Sequence, residues 1–521
     1  MIDLSDVEKR LLERFPNGFI PLSKLPPPSN LKDSTKASKR VVQAIERGER
    51  ITIIGDYDVD GVISSAIAYL FFHKLGIDVE IVIPNRFKDG YGVTPKLLER
   101  IDCDLVITVD NGIHAHNSAR ILKERGIDLI ITDHHNPSDT LPEAFAIVNP
   151  KQSDCPYPYK DICGATVIWL LLGELKRLLN VDIDMMEFID LVAIATIADV
   201  MPITNLNHTI VKVGLEYFSK NERVSNQILI QELFSNQTIT AEDIAFQVAP
   251  RLNSSGRIDD AIHSFNFLIS DNYIEASYLY SVIDRFNQTR KEIEKSIYQD
   301  IVDEVDNSKP ILIIRGEEFH EGVIGIVASR LVAKFQKPVI LFSQSGEILK
   351  GSGRSIGNID IFYLLQSASN LLLKWGGHKM AGGLSLHVSN FEKFREVVYR
   401  AMERYSPKDF LEKSNIFGEL RIDNLNFDLY RLLHRFEPFG EGNEKPIFEL
   451  RNGIVVQSQK IGKSGEYQKL VIEKEGIYVE VLIFQDMETI PVGKSISFLY
   501  RPHFSTFRGT FKIQALLEEL I

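Results

Sequence analysis

Ile51-Thr52-Ile53-Ile54-Gly55-Asp56-Tyr57-Asp58-Val59-Asp60-Gly61 runs four β-branched residues into three aspartates within five positions. A short run of this kind reads as a strand buried on both faces of a parallel sheet. Two more follow the same plan. Leu105 to Val109 leads into Asp110-Asn111-Gly112, and Leu129 to Thr132 leads into Asp133-His134-His135. In an open α/β sheet, ligands bind beyond the carboxyl ends of the strands. Three strands therefore deliver carboxylates and imidazoles to one edge. So many negative charges in one place repel unless cations sit among them.

Around this core the pattern is β/α alternation from 38 to 215. Val62 to Phe72 reads as a helix, Val79 to Ile83 as a strand, Ala115 to Arg125 as a helix, and Ala146 to Val148 as a strand. That order implies a parallel sheet with helices on its faces. Met185 to Ala198 is apolar almost all round and reads as a buried helix closed by Asp199. A charge at that end meets an unfavourable dipole and needs a partner, which a metal ion would supply.

The flanking segments divide into an N-terminal arm over 1–37, rich in proline, and a helical connector over 216–308. A second α/β domain follows over 309–405 and a small antiparallel barrel over 406–521, for which an OB-fold is the leading reading. The fold expected is thus α/β: two α/β domains joined by a long helix, then the barrel.

The 521-residue chain is 44% hydrophobic and 25% charged, ordinary values for globular domains. No apolar run reaches the roughly 20 residues of a membrane helix, and the first twenty residues lack the shape of a signal peptide. Three cysteines, Cys103, Cys155 and Cys163, suit a reducing cytoplasm. A zinc site from two of them is a minor reading beside packed thiols. The net charge of −12 argues against binding a polyanion, although net charge describes the whole surface and not one groove.

Three later segments carry the complementary charge. Pro250 to Arg257 puts two arginines around small residues. Lys350-Gly351-Ser352-Gly353-Arg354-Ser355 reads as a glycine-serine loop with a cation. Gly376-Gly377-His378-Lys379-Met380-Ala381-Gly382-Gly383 sets four glycines around a histidine and a lysine. Each is a candidate phosphate cradle, since glycine leaves backbone N–H groups accessible. Carboxylate and histidine ligands without cysteine fit manganese or magnesium. Two such ions about 3.5–4 Å apart serve phosphoryl chemistry.

The ordered set GDYDVDG (55–61), VDNG (109–112), DHH (133–135), IADVMP (197–202), PRLNSSGR (250–257), HEGVIGIVASRL (320–331), GSGRS (351–355), GGHKMAGG (376–383) and EPFGEGN (437–443) resembles the DHH phosphoesterase superfamily. Within it, the set is similar to the family of single-stranded-DNA-specific exonucleases. The resemblance covers nearly the whole chain. It implies a two-metal nuclease that degrades single-stranded DNA from the 5′ end to mononucleotides in DNA repair and recombination, with manganese or magnesium as cofactor. By the same resemblance Asp56, Asp58, Asp60, Asp110, His134 and Asp199 form the metal set, and His135, with Asp110 and Asp133, is catalytic. Arg257, Ser352, Arg354, Gly377 and His378 hold substrate phosphates, and the cleft between the two α/β domains is the active site.

The barrel would guide the strand, with Arg501, His503, Phe504, Phe507, Arg508 and Lys512 as its aromatic and basic surface; those aromatics read equally well as barrel core. A single-stranded-DNA-binding protein and a repair helicase are the implied partners, without a membrane. Longer members carry a further domain after the barrel, whereas this sequence stops at Ile521, leaving such partner contacts open. The rival reading is a DHH phosphodiesterase acting on short oligonucleotides, RNA or dinucleotides.

Overall fold

The computed structural model describes residues 1–521 except 221, 235–237, 412–414, 463–464, 486 and 508–509, and except the side chains of 506, 507 and 510. Two compact units form. One holds residues 1–82, 92–249 and 415–521, the other 83–91 and 250–414.

In the first unit, β1 (Ile51–Ile54), β2 (Glu80–Val82), β3 (Leu105–Val109), β4 (Asp128–Thr132) and β5 (Ala146–Val148) form one sheet in the order β2-β1-β3-β4-β5. Every pairing is parallel. β1 and β3 are buried along their whole length, as β-branched runs covered on both faces must be. The chain reverses its direction of sheet growth between β1 and β3, so a crevice opens at their carboxyl ends.

The helix Val59–Lys74 leaves β1 with Asp58 as its N-cap and is buried all round from Val59 to Ala68. The helices Gly164–Leu179 and Ile189–Ala198 are equally apolar and buried. Where one helix was expected over 185–198, Met185–Phe188 is a single 3-10 turn whose Asp184 side chain accepts from Met186 N.

The N-terminal arm is less irregular than its prolines imply. Leu4–Leu12 is helical, capped by Asp3, and buries Val7 and Leu11. Those residues and Phe15 share a core with Leu429, Phe436 and Phe448 of the C-terminal region.

That region holds β11 (Ile416–Glu419), β12 (Ile447–Ile461), β13 (Tyr467–Lys474), β14 (Ile477–Ile483), β15 (Ser495–Phe507) and β16 (Thr510–Leu520); two of their strands include positions outside the described side chains. Strands β12, β13, β14, β16 and β15 close on themselves through the β12–β15 pairing. The barrel is not wholly antiparallel, because β14 and β16 run parallel. β15 is placed between them in sequence and pairs outside them, which returns β16 in the direction of β14.

In the second unit, β6 (Leu312–Glu317), β7 (Val339–Ser345), β8 (Ile348–Arg354), β9 (Leu372–Gly377) and β10 (Ala381–His387) form a mixed sheet in the order β6-β7-β8-β10-β9. The connector helix spans Tyr273–Val302 and starts eleven residues before the charged stretch at Asp284, at an Asn272 cap. Its buried stripe ends in Ile297 and Ile301, which enter the core of this sheet.

Two of the three candidate phosphate cradles are regular structure. Pro250 to Arg257 lies in the helix Ala249–Ile258. Its serines turn inward: Ser254 Oγ donates to Arg251 O and Ile283 O, and Ser255 Oγ meets Ser264 Oγ at 2.6 Å. Lys350 to Arg354 is the strand β8, in register with β7 and β10. A Cβ on Gly351 would stand 2.5 Å from the Phe342 ring. The glycine there makes room for packing and does not loosen a loop.

Candidate metal centre

All the acidic strand ends converge at the β1/β3 crevice. Ligand atoms of Asp56, Asp58 and Asp110 lie within 4.8 Å of one another, as do those of Asp60, His134 and Asp199, and those of Asp110, His134 and His135. His134 Nε2 is the common neighbour, 3.2 Å from Asp110 Oδ1, 3.5 Å from Asp199 Oδ2 and 3.8 Å from Asp60 Oδ2.

Local structure explains each placement. Asp58 caps the helix Val59–Lys74, its Oδ1 accepting from Gly61 N at 3.1 Å. A Cβ on Gly61 would sit 2.6 Å from Asp56 N, so only glycine lets the chain fold back over Asp56. Asp60 accepts from Gly164 N (2.6 Å) and Ala165 N (2.8 Å), at the amino end of the helix Gly164–Leu179. That contact satisfies orphan N–H groups and the helix dipole together. Asp110 takes a left-handed φ of +62°, and a Cβ on Gly164 would stand 2.5 Å from its Oδ1.

Asn111 ties the two strands: its Nδ2 donates to Ile54 O (3.0 Å) and Val109 O (2.9 Å), and its Oδ1 accepts from Val93 N (3.2 Å).

Asp133 does not join the ligand groups. Its Oδ2 accepts from Ile113 N, and its Oδ1 from His134 N, His135 N and His135 Nδ1, the last at 2.7 Å. It organises the two histidines. Burial opposes its ionisation, but the hydrogen bond and charge of His135 outweigh that and draw its pKa to about 2. Burial likewise disfavours the His135 cation, yet Asp133, Asp199 and Asp58 raise its pKa to about 9. His135 is therefore an imidazolium at neutral pH.

The other carboxylates move the opposite way. Burial first, then Asp58, pushes Asp60 up to about 6. Burial, then the charges of Asp60, Asp58, Asp199 and Asp56, raises Asp110 well above the usual range. Burial, then Asp60 and Asp58, does the same for Asp199. Asp110 Oδ1 and Asp199 Oδ2 are buried oxygens without a hydrogen-bond donor among the described residues. Buried acceptors under mutual repulsion are what hard divalent cations satisfy, and an oxygen-rich set with one imidazole suits manganese or magnesium.

The second unit assembles its cations at the helix Ile324–Phe335. Arg354 Nη1 donates to Ser352 Oγ at 2.8 Å. A Cβ on Gly325, in the first turn, would stand 2.7 Å from Arg354 Nη2 and 2.9 Å from Ser352 Oγ. Arg257 Nη1 donates to Gly322 O (3.1 Å), one turn earlier. Arg86 Nε donates to Gly256 O (3.2 Å) beside Arg257. His378 is exposed in the β9–β10 turn, its N–H donating to Ala381 O, and Ala381 pairs with Arg354 in register. Gly377 has a φ of +145° at that turn.

On the barrel, Phe504 packs partly into the core against Tyr430 (5.1 Å between centroids), and Arg501 pairs with Glu518 at 3.2 Å. The side chain of Phe507 and the whole of Arg508 lie outside the described residues.

A parallel sheet with a buried Asp/His centre at its switch point, a second mixed sheet and a closed barrel define a DHH-type protein. Residues 50–196 match the DHH family N-terminal domain, 308–404 the DHHA1 domain and 416–519 the RecJ OB domain. The chain belongs to the RecJ family. It is 32% identical to the single-stranded-DNA-specific exonuclease RecJ of Salmonella typhimurium, over 98% of this chain and 93% of that one. It is also 32% identical to RecJ of Bacillus subtilis over 94% of this chain, and spans 64% of that longer protein. The solved structure of Thermus thermophilus RecJ in complex with Mn2+ superposes with a TM-score of 0.83 at 31% identity, covering 94% of this chain and 72% of that one.

Proposed function

We propose that this protein is a metal-dependent exonuclease that hydrolyses single-stranded DNA from the 5′ end to 5′-mononucleotides. The observation that carries this reading is the gathering of Asp56, Asp58, Asp60, Asp110, His134 and Asp199 into adjoining ligand groups at the β1/β3 crevice. Family membership supports it, since the relatives are named single-stranded-DNA-specific exonucleases.

Those six residues would hold two divalent cations, manganese or magnesium. When bound, the ions supply an activated water and charge stabilisation for phosphodiester hydrolysis. The chain's own residues do the rest. Asp133 fixes the His135 ring through Nδ1, and Nε2 would donate toward a phosphate oxygen. The hydrogen bond and charge of Asp133 favour the protonated form of His135. Gly164 keeps the approach to Asp110 open, and Asn111 sets the spacing of the strand ends. Arg257, Ser352, Arg354, Gly377 and His378 are the substrate-phosphate residues of the second unit, with Arg86 added to them.

Three free, buried cysteines support a cytoplasmic setting. Among the described residues no helix is long and apolar enough to cross a membrane. The family resemblance supports a role in repair and recombination beside a single-stranded-DNA-binding protein and a helicase.

The test is a time course on 5′-labelled single-stranded DNA, RNA, a blunt duplex and a dinucleotide, with manganese and with magnesium. Labelled mononucleotide released rapidly from the DNA strand, with the duplex spared, is the expected result. Activity confined to the dinucleotide would replace this reading with a small-substrate phosphodiesterase, and equal attack on RNA would widen the substrate class.

A further inference from the structure

Asp199 and Val200 close the buried helix Ile189–Ala198 in a way that leaves one residue unexplained. Val200 N donates to Ile197 O (3.1 Å) and Met201 N to Thr196 O (3.1 Å), the paired bonds of a Schellman cap. The residue at the left-handed position of this cap is ordinarily glycine, because a side chain there crowds the backbone. Here it is Val200, β-branched, with a φ of +53°. A β-branched residue in that region is a true outlier.

The strain is not repaid by burial. Val200 is 63% exposed, against 9% for Ile197 one turn earlier. The side chain therefore adds nothing to the core that a hydrogen atom would not. Its position is specific, however. It follows directly on Asp199, whose Oδ2 lies 3.5 Å from His134 Nε2 in the metal centre. Strain held at a functional site is a reason to look for what the strained group touches.

Resting on the nuclease reading above, we propose that Val200 is a substrate-contacting residue: its exposed methyls pack on the base of the terminal nucleotide and seat the adjacent phosphate at the metal centre. The partner chemistry is a flat, apolar face carried next to a phosphate, which a nucleobase supplies and an abasic sugar does not.

The experiment compares wild type, Val200→Gly and Val200→Ile on 5′-phosphorylated single strands whose terminal nucleotide is either normal or an abasic tetrahydrofuran analogue. Val200→Gly relieves the backbone, so its melting temperature should rise by about 1–3 °C. The ratio of kcat/KM on normal over abasic strands should fall about tenfold in Val200→Gly. Val200→Ile should restore that ratio.

A ratio unchanged in Val200→Gly overturns the contact and leaves the nuclease reading standing. A loss equal on both strands also overturns it, because it would trace to a shifted Asp199. A fall in melting temperature overturns the strain argument. A wild-type protein inert on every strand overturns the nuclease reading itself, and with it this contact.

Discussion

Asp110 combines a left-handed backbone, nearly complete burial and four neighbouring carboxylates. Aspartate tolerates that backbone better than most residues, so the cost here is electrostatic. In the metal-free protein, Asp60 titrates near 6 instead of 3.8, and Asp110 and Asp199 shift the same way. A raised folded-state pKa means stability that is present below about pH 4 and lost as pH rises through about 6. His135 acts in the same direction at higher pH, its contribution present below about 6.5 and lost as pH passes about 9. With chelator present, the melting temperature should therefore be lower at pH 8 than at pH 5, and manganese should reverse the difference. Asp110→Asn should raise the metal-free melting temperature at pH 8, abolish the stabilisation by manganese and cut cleavage by at least about 100-fold. Differential scanning fluorimetry and the nuclease assay read all three.

Gly164 offers a subtler test at the same scale. Gly164→Ala would place a methyl 2.5 Å from Asp110 Oδ1, at a buried helix start. The carboxylate must move, and a displacement of about 1 Å at a reacting centre costs about 100-fold in rate. Activity should fall while circular dichroism stays that of the wild type; full activity would show that Asp110 has slack.

At the scale of elements, the strand end is the working unit. β1, β3 and β4 each deliver the acidic residues that follow them to the same edge because parallel strands in register finish together. Asn111 then converts two separate strand ends into one rigid rim. β8 shows the converse. Its glycines and serine look like a loop in sequence, yet the pairing with β7 and β10 imposes an extended backbone and places Ser352 and Arg354 two residues apart, on one face. Gly351→Ala would drive a methyl into the buried Phe342 ring at 2.5 Å and Leu384 Cδ2 at 2.8 Å. Overpacking of this kind should destabilise by about 1–3 kcal/mol, read as a lower urea midpoint with the slope unchanged.

At the scale of the whole chain, the first unit is closed by residues that are hundreds of positions apart. Phe19 of the arm stacks on His208 and Phe15 meets it edge-on, each 5.0 Å between centroids, and His208 Nε2 donates to Phe436 O at 3.2 Å. Burial holds the His208 pKa down at about 4. A histidine lowered in this way contributes stability fully above pH 6.5 and loses it as pH falls toward 4. At pH 5 the loss should be about 1–2 kcal/mol. With manganese present, His208→Asn, which does not titrate, should show a smaller fall in stability between pH 7 and pH 5 than the wild type, measured by chemical denaturation; an identical fall would show that His208 is not buried neutral.

The sequence by itself determined the elements and the chemistry of their ends. Buried β-branched runs, the acids that terminate them and the DHH pair are local patterns, and parallel-strand geometry sends their ends to one edge. The barrel, too, was legible from short strands and glycine turns. Only the tertiary structure decided which carboxylates stand together, because that depends on a helix starting a hundred residues later. Asp60 meets the N–H groups of Gly164 and Ala165, and Asp110 meets the vacancy left by a glycine side chain. It likewise decided that GSGR is a strand and that the arm completes the barrel core. Those outcomes rest on contacts between distant segments, whose energy exceeds the local preference of any glycine or proline and leaves no periodic mark in the chain.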